Sequence, residues 1–191
     1  MAQNYRIIDL PGKSKYRIAT TDTDTPDDEN PGVKSPEWMV KIDDLTKSNV
    51  DGFNDHTELF GWYGESSRFT TGDISNNLFT SATLKHSDLI ILIPNGGYTA
   101  TLEVNMNMGN PINALTIVRL GNIKAMKVKI QQIDYTNCFI QSFQQQLDRV
   151  ILHLSVTSKT NTIFVFDDTG QNQGQVVSTV DYSKNTASAG G

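Results

Sequence analysis

Residues 102–130, LEVNMNMGNPINALTIVRLGNIKAMKVKI, change hydrophobic period twice and carry turn chemistry between the periods. Leu102, Val104 and Met106 alternate with Glu103, Asn105 and Asn107, the pattern of a half-buried strand. Asn110 then offers a helix N-cap, with Pro111 in a first turn where its missing N–H costs nothing. Ile112, Leu115 and Val118 follow at helical spacing, and Gly121 is placed to stop a helix in the left-handed region. The stretch therefore predicts strand, one short helix over residues 110–121, and strand again.

Elsewhere the chain reads almost entirely as short strands separated by turns. Trp38, Val40 and Ile42 alternate with Met39, Lys41 and Asp43, and a polar loop over residues 46–55 leads into a strand at 58–63. Further strands are predicted at 77–84 and at 88–93, the latter ended by the PNGG turn at 94–97. After the helix come strands at 124–133, 135–143, 148–156 and 162–166. The row Val150, Leu152, Leu154 and Val156 predicts a strand with one buried face. Many strands, frequent turns and one helix imply a mainly β barrel or sandwich of two sheets, not an alternating parallel sheet.

The chain has 191 residues, 37% of them hydrophobic, enough for one domain with a proper core plus some loose sequence. Residues 19–36 combine three prolines with five acids, Asp22, Asp24, Asp27, Asp28 and Glu29, and read as a linker that buries too little to order itself. A short strand at 5–10 precedes it. The expected organisation is an N-terminal extension over 1–36, a β-domain over 37–185 and a flexible tail over 186–191.

A formal net charge of −5 argues against a nucleic-acid partner, which would demand a basic stripe. Lys124, Lys127 and Lys129 read as the solvated face of a strand. The longest aliphatic run, residues 89–93, is too short to span a bilayer, so no membrane insertion is expected. The first 15 residues lack the apolar core and small-residue cleavage site of a secretory signal. Export, if it occurs, would not use a cleaved leader.

No catalytic motif is present, and the reading is non-enzymatic. His56, His86 and His153 share no ligand spacing, so no metal and no cofactor is expected, and His153 reads as a surface residue. The acidic run at 22–29 lacks the glycine and terminal glutamate of an EF-hand loop. Asp167 and Asp168 ahead of Thr169 and Gly170 signal a turn. Cys138, the only cysteine, lies in an apolar context and reads as a buried structural thiol.

Four segments, in order, resemble the hemolysin-coregulated protein (Hcp) family, the tube proteins of bacterial type VI secretion. The first, MVKIDDLTKSNVDGFNDHTELFGWYGES at 39–66, resembles the family's opening strand, its polar loop bearing Asp-His (here Asp55-His56) and its aromatic-glycine strand end (Gly61-Trp62-Tyr63-Gly64). The second is the helix expected at 110–121 with the strand after it. The third is the run Gln146-Leu147-Asp148-Arg149-Val150. The fourth is Gly170, Gly174 and the closing run Val180-Asp181-Tyr182-Ser183-Lys184-Asn185.

The resemblance implies a two-sheet β-barrel with one lateral helix, assembled as a homohexameric ring. Stacked rings would form a hollow tube that carries effectors and is expelled with them. Sheath and spike components are the implied further partners, and synthesis in the bacterial cytoplasm with secretion lacking a cleaved signal is the implied localisation. Residues 65–98 match the family poorly, and 65–87 within them are expected to be the ring-stacking loop, with Glu65, Ser66, Ser67, Arg68 and Asp73 as candidate contacts. A monomeric or dimeric ligand-binding barrel and a phage-type tail tube protein are the competing readings.

Overall fold

A computed structural model describes residues 5–8, 16–20, 36–71, 81–123, 126–184 and 186–190. Chain order begins with β1 (Tyr5–Ile8), β2 (Tyr16–Thr20), β3 (Trp38–Ile42), β4 (Thr57–Glu58) and β5 (Gly61–Tyr63). A hairpin of β6 (Ser66–Thr71) and β7 (Ser81–His86) follows, then β8 (Leu89–Pro94), helix α1 (Thr99–Met108) and β9 (Ile112–Ile123). The remainder is β10 (Met126–Gln145), β11 (Arg149–Ser155), β12 (Ser158–Phe166), β13 (Asn172–Asp181) and β14 (Thr186–Gly190). The fold is mainly β with one short helix.

Two corners turn these strands into a barrel. At the first, β10 runs through both sheets: residues 126–138 pair with β9, 131–136 pair with β12, and 139–145 pair with β11. The registers Thr136↔Ser158 and Phe139↔Ser155 belong to one continuous antiparallel alignment, so β11 and β12 are two halves of one long partner strand. They part at Thr157, whose N–H and Oγ1 both donate to the Thr136 carbonyl. Asn137, at φ 48°, and a bulge between Ile140 and Ser142 bend β10 at the same level.

The second corner is the segment from β4 to β5. It pairs with β3, then Leu59 N–H donates to Trp38 O while Phe60 N–H donates to Leu92 O of β8. The path β9, β3, β4–β5, β8, β11, β10 therefore closes on itself. Beyond it, β12, β13 and β14 extend one sheet as a wing, and β2 with β1 extends the other from β5.

Inside the barrel one cluster packs Val40, Ile42, Leu59, Leu89, Ile91, Ile93, Leu115, Ile117, Ile133, Leu152 and Leu154, each nearly inaccessible to solvent. The described interior is thus filled by side chains, unlike the open lumen a ligand-binding barrel requires. A second apolar cluster, Ile90, Leu92 and Ile151 with Phe60 and Tyr63, lies on the outer face of the β8–β11 sheet. His153, expected at the surface, is instead 5% exposed, beside its cross-strand partner Ile90, which is buried on the same outward face. Met39, Val118 and Leu120 form a third layer under Val50 and Phe53 of the loop after β3.

The helix and strand of residues 99–123 exchange places relative to the sequence expectation. Residues 102–106 lie in α1, and 112–121 lie in β9. Gly109 takes the left-handed conformation, φ 69°, with its N–H donating to Met106 O and that of Asn110 to Asn105 O. This is a Schellman ending followed by Pro111, so the chemistry expected to start a helix ends one. Leu102 and Met106, one turn apart, face the core, whereas Val104 and Met108 face solvent. In β9 the β-branched content Ile, Thr, Ile, Val suits a pleated ladder, and Gly121 pairs with Val128 as an ordinary strand residue.

Other expectations fare variously. The strand at 38–43, the paired elements at 57–63 and the strands near 88–94 and 149–155 are present. The two strands expected at 124–143 are one, β10, and β13 was not anticipated. Residues 186–190, expected as a flexible tail, run as β14 along β13. Residues 21–35, including the acidic run, lie outside the described residues. Lys127 donates to Pro36 O and Lys129 lies over the Phe164 ring, 5.6 Å from its centroid, so neither is simply solvated.

Candidate functional site

The segment expected to join stacked rings is a β-hairpin that stands apart from the barrel sheet. β6 and β7 pair only with each other, in the register Ser66↔His86, Ser67↔Lys85, Arg68↔Leu84. Glu65, Ser66 and Ser67 therefore sit at its root and Arg68 one step further out, while Asp73 lies outside the described residues.

The root is anchored by polar contacts from three parts of the chain. Ser87 N–H donates to Glu65 O at 2.8 Å, and Glu65 N–H donates to Ser87 Oγ at 2.9 Å. Tyr63 at the end of β5 donates its hydroxyl to the Glu65 carboxylate. Tyr182, just past β13, brings its hydroxyl to 3.3 Å from Ser66 Oγ and stacks its ring on His86 with centroids 4.3 Å apart and planes 6° apart. Tyr182 is in turn held by its N–H donating to Thr157 O, at the fork between β11 and β12. A side-chain contact between residues 116 apart in sequence thus ties the hairpin root to the segment after β13.

A cleft of about 120 Å³ opens at this root, lined among others by Glu65, Ser66, Ser87, Tyr135, Lys159 and Tyr182. Burial raises the Tyr135 phenol well above its ordinary pKa and lowers that of Lys159. The sequence carried no signal for His86, Tyr135, Lys159 or Tyr182 as neighbours, because register across β10, β12 and β13 brings them together.

The wing shows a second surface. Ile163 and Val176 are cross-strand partners, and with Val165 they leave 47%, 53% and 44% of their areas exposed. They lie on the same face as the core residue Ile133, since Ile133↔Asn161 and Gln131↔Ile163 share one register. The core face of the sheet therefore continues past the barrel as an uncovered apolar row.

The Asp55-His56 pair closes the loop after β3. Asp55 accepts from Lys41 Nζ at 2.6 Å and from His56 Nδ1 at 2.7 Å, and its carbonyl accepts from Thr46 Oγ1 at 2.7 Å. The Lys41 contact holds the Asp55 carboxyl down at about 2, while burial lowers the His56 pKa. These residues staple a loop over the Met39 layer. Asp167 likewise serves a turn, its Oδ1 accepting from the N–H groups of Thr169 and Gln171, with Gly170 at φ 81°. Cys138 is fully buried, and burial pushes its thiol up to about 12.

These elements define a closed two-sheet barrel with a lateral helix, a wing and a projecting hairpin. That is the Hcp-like fold. A structure described as a type six secretion system protein superposes with a TM-score of 0.70 at 13% identity, covering 81% of this chain and 100% of the other. Hcp1 from Salmonella typhimurium gives 0.61 at 16% identity, covering 79% and 97%. Hcp2 from the same organism gives 0.54 at 18% identity, covering 78% and 98%. No protein-family model and no curated protein sequence matches the chain.

Proposed function

We propose that this protein is the structural subunit of a type VI secretion inner tube, forming six-membered rings that stack into a hollow conduit, carry effectors and leave the cell with them. The observation that carries the reading is the superposition on Hcp1 over 97% of that chain. A ring demands two different complementary surfaces per subunit, and stacking demands a further pair that need not close. The uncovered row of Ile163, Val165 and Val176 supplies one apolar surface of the kind subunit contacts bury. The β6–β7 hairpin, whose strands pair with each other and not with the barrel strands among the described residues, supplies an element for contact between rings, with Glu65, Ser66, Ser67, Arg68 and Asp73 assigned to ring stacking. The role needs no covalent chemistry, and a packed interior supports it over a ligand-binding barrel. Among the described residues no helix is long and apolar enough to cross a membrane.

Light scattering of the purified protein, with negative-stain imaging of the same peak, tests the ring. Six subunits around a central hole are expected; a monomer at micromolar concentration overturns the proposal. Replacing residues 65–87 by a short linker is expected to leave rings intact and abolish tubes. Tubes that survive the replacement sink the stacking assignment.

A further inference from the structure

The cleft at the root of the hairpin has a chemistry that the tube role does not use. Lys159 and Tyr135 are direct cross-strand partners, so their side chains leave the sheet on the same face. Both line the cleft, together with the hydroxyl-bearing Ser66, Ser87 and Tyr182. Lys159 is half-buried and, among the described residues, has no ion-pair or hydrogen-bond partner. Burial alone accounts for its lowered pKa, with no charged neighbour contributing. The Glu65 carboxylate at the cleft's edge is engaged by the Tyr63 hydroxyl instead.

A half-buried ammonium carries a desolvation cost that an incoming anion offsets. The phenol of Tyr135 has no hydrogen-bond partner among the described residues. Ser66 can donate to the Tyr182 oxygen, which frees the Tyr182 proton for a ligand. One cation and two phenol donors match the charge and acceptor count of one carboxylate. A volume of about 120 Å³ admits an acetate-sized group and falls far short of the roughly 300 Å³ at which drug-sized ligand sites begin.

We infer that this cleft binds a single carboxylate, with Lys159 supplying the charge and the hydroxyls of Tyr135 and Tyr182 supplying neutral donors. The carboxylate is either a free small acid or the end of an Asp or Glu side chain from a second copy of the chain. The inference stands whether or not the protein forms tubes.

The test is fluorine NMR of trifluoroacetate added to the full-length protein. Saturable line broadening is expected, reversed by acetate and unaffected by the same concentration of chloride. Lys159→Met is expected to abolish it, and Tyr135→Phe, which keeps the ring packing, to weaken it about fivefold, the cost of one neutral hydrogen bond. Broadening that persists in folded Lys159→Met, or that chloride reverses as well as acetate does, overturns the site; should that variant not fold, undiminished binding in Tyr135→Phe does so. Light scattering across the acetate titration separates the sources. A mass that falls as acetate saturates assigns the natural carboxylate to a second copy, and an unchanged mass assigns it to a free small acid.

Discussion

The ring of Tyr182 lies flat against that of His86, with centroids 4.3 Å apart and planes inclined by 6°. His86 ends β7, and Tyr182 follows β13, so this stack joins the projecting hairpin to the wing. Aromatic pairs add about 0.5–1.5 kcal/mol beyond their buried area. Tyr182→Ala is expected to speed hydrogen exchange at the Ser87 amide, which donates to Glu65 O, by about tenfold. Exchange at Leu152 and Leu154 in β11 should stay unchanged. Tyr182→Phe, which keeps the stack and loses only the contact with Ser66, should show a smaller effect. Equal exchange in all three proteins would mean the stack does not hold the hairpin.

The loop after β3 makes stability depend on acid in one direction. The Asp55 pKa is depressed, chiefly by the Lys41 hydrogen bond, so its contribution is full above its unfolded value of about 3.9 and is lost as pH falls toward about 2. The His56 pKa is depressed by burial, so its contribution is full above about 6.5 and is lost as pH falls below that. The melting temperature should be flat near pH 7, decline as His56 is forced to accept a proton, and decline again below about pH 4. Lys41→Met should shrink the second decline most and the first slightly, since burial is the main cause at His56 and the Lys41 charge a lesser one. An unaltered profile in that variant removes Lys41 as the cause.

Gly170 occupies a position where any side chain is strained. Its φ is +81°, and a Cβ there would lie 2.3 Å from Ile123 Cγ2. Gly170→Ala is expected to cost roughly 1–3 kcal/mol, from backbone strain and the displaced isoleucine together. Adding Ile123→Ala should relieve the clash but not the strain, so the double variant is expected to lose less than the sum of the singles. Strict additivity in thermal unfolding contradicts the contact.

If the apolar row of the wing is a subunit contact, Ile163→Asp or Val176→Asp should dissociate the ring without unfolding the barrel. Both side chains are about half exposed in the single chain, so a charge there costs the isolated subunit little. Light scattering is expected to report single subunits with an unchanged circular dichroism spectrum. Intact rings in both variants would place the contact elsewhere.

Much of this molecule is legible in local chemistry. Alternation at Trp38, Val40 and Ile42 and at Val150, Leu152 and Leu154 identifies strands, PNGG and Asp167 through Gly170 identify turns, and the context of Cys138 identifies a buried thiol. The order of motifs also points to the Hcp-like fold, although the helix that the second motif expects at 110–121 lies at Thr99–Met108.

Local pattern failed where two periods fit the same residues. Leu102, Val104 and Met106 read as one strand face, and only the burial of Leu102 and exposure of Val104 show a helix. Asn110 and Pro111 suit a helix entrance as well as a helix exit, and the left-handed Gly109 decides between them. His153 is buried on an outward face beside its cross-strand partner Ile90, an environment that no window around residue 153 encodes. The sequence by itself determined where the chain alternates, turns and buries. Tertiary structure alone decided which edges meet at Thr157, and so which side chains surround the hairpin root, because pairing between distant strands is a property of the whole closed barrel and not of any segment within it.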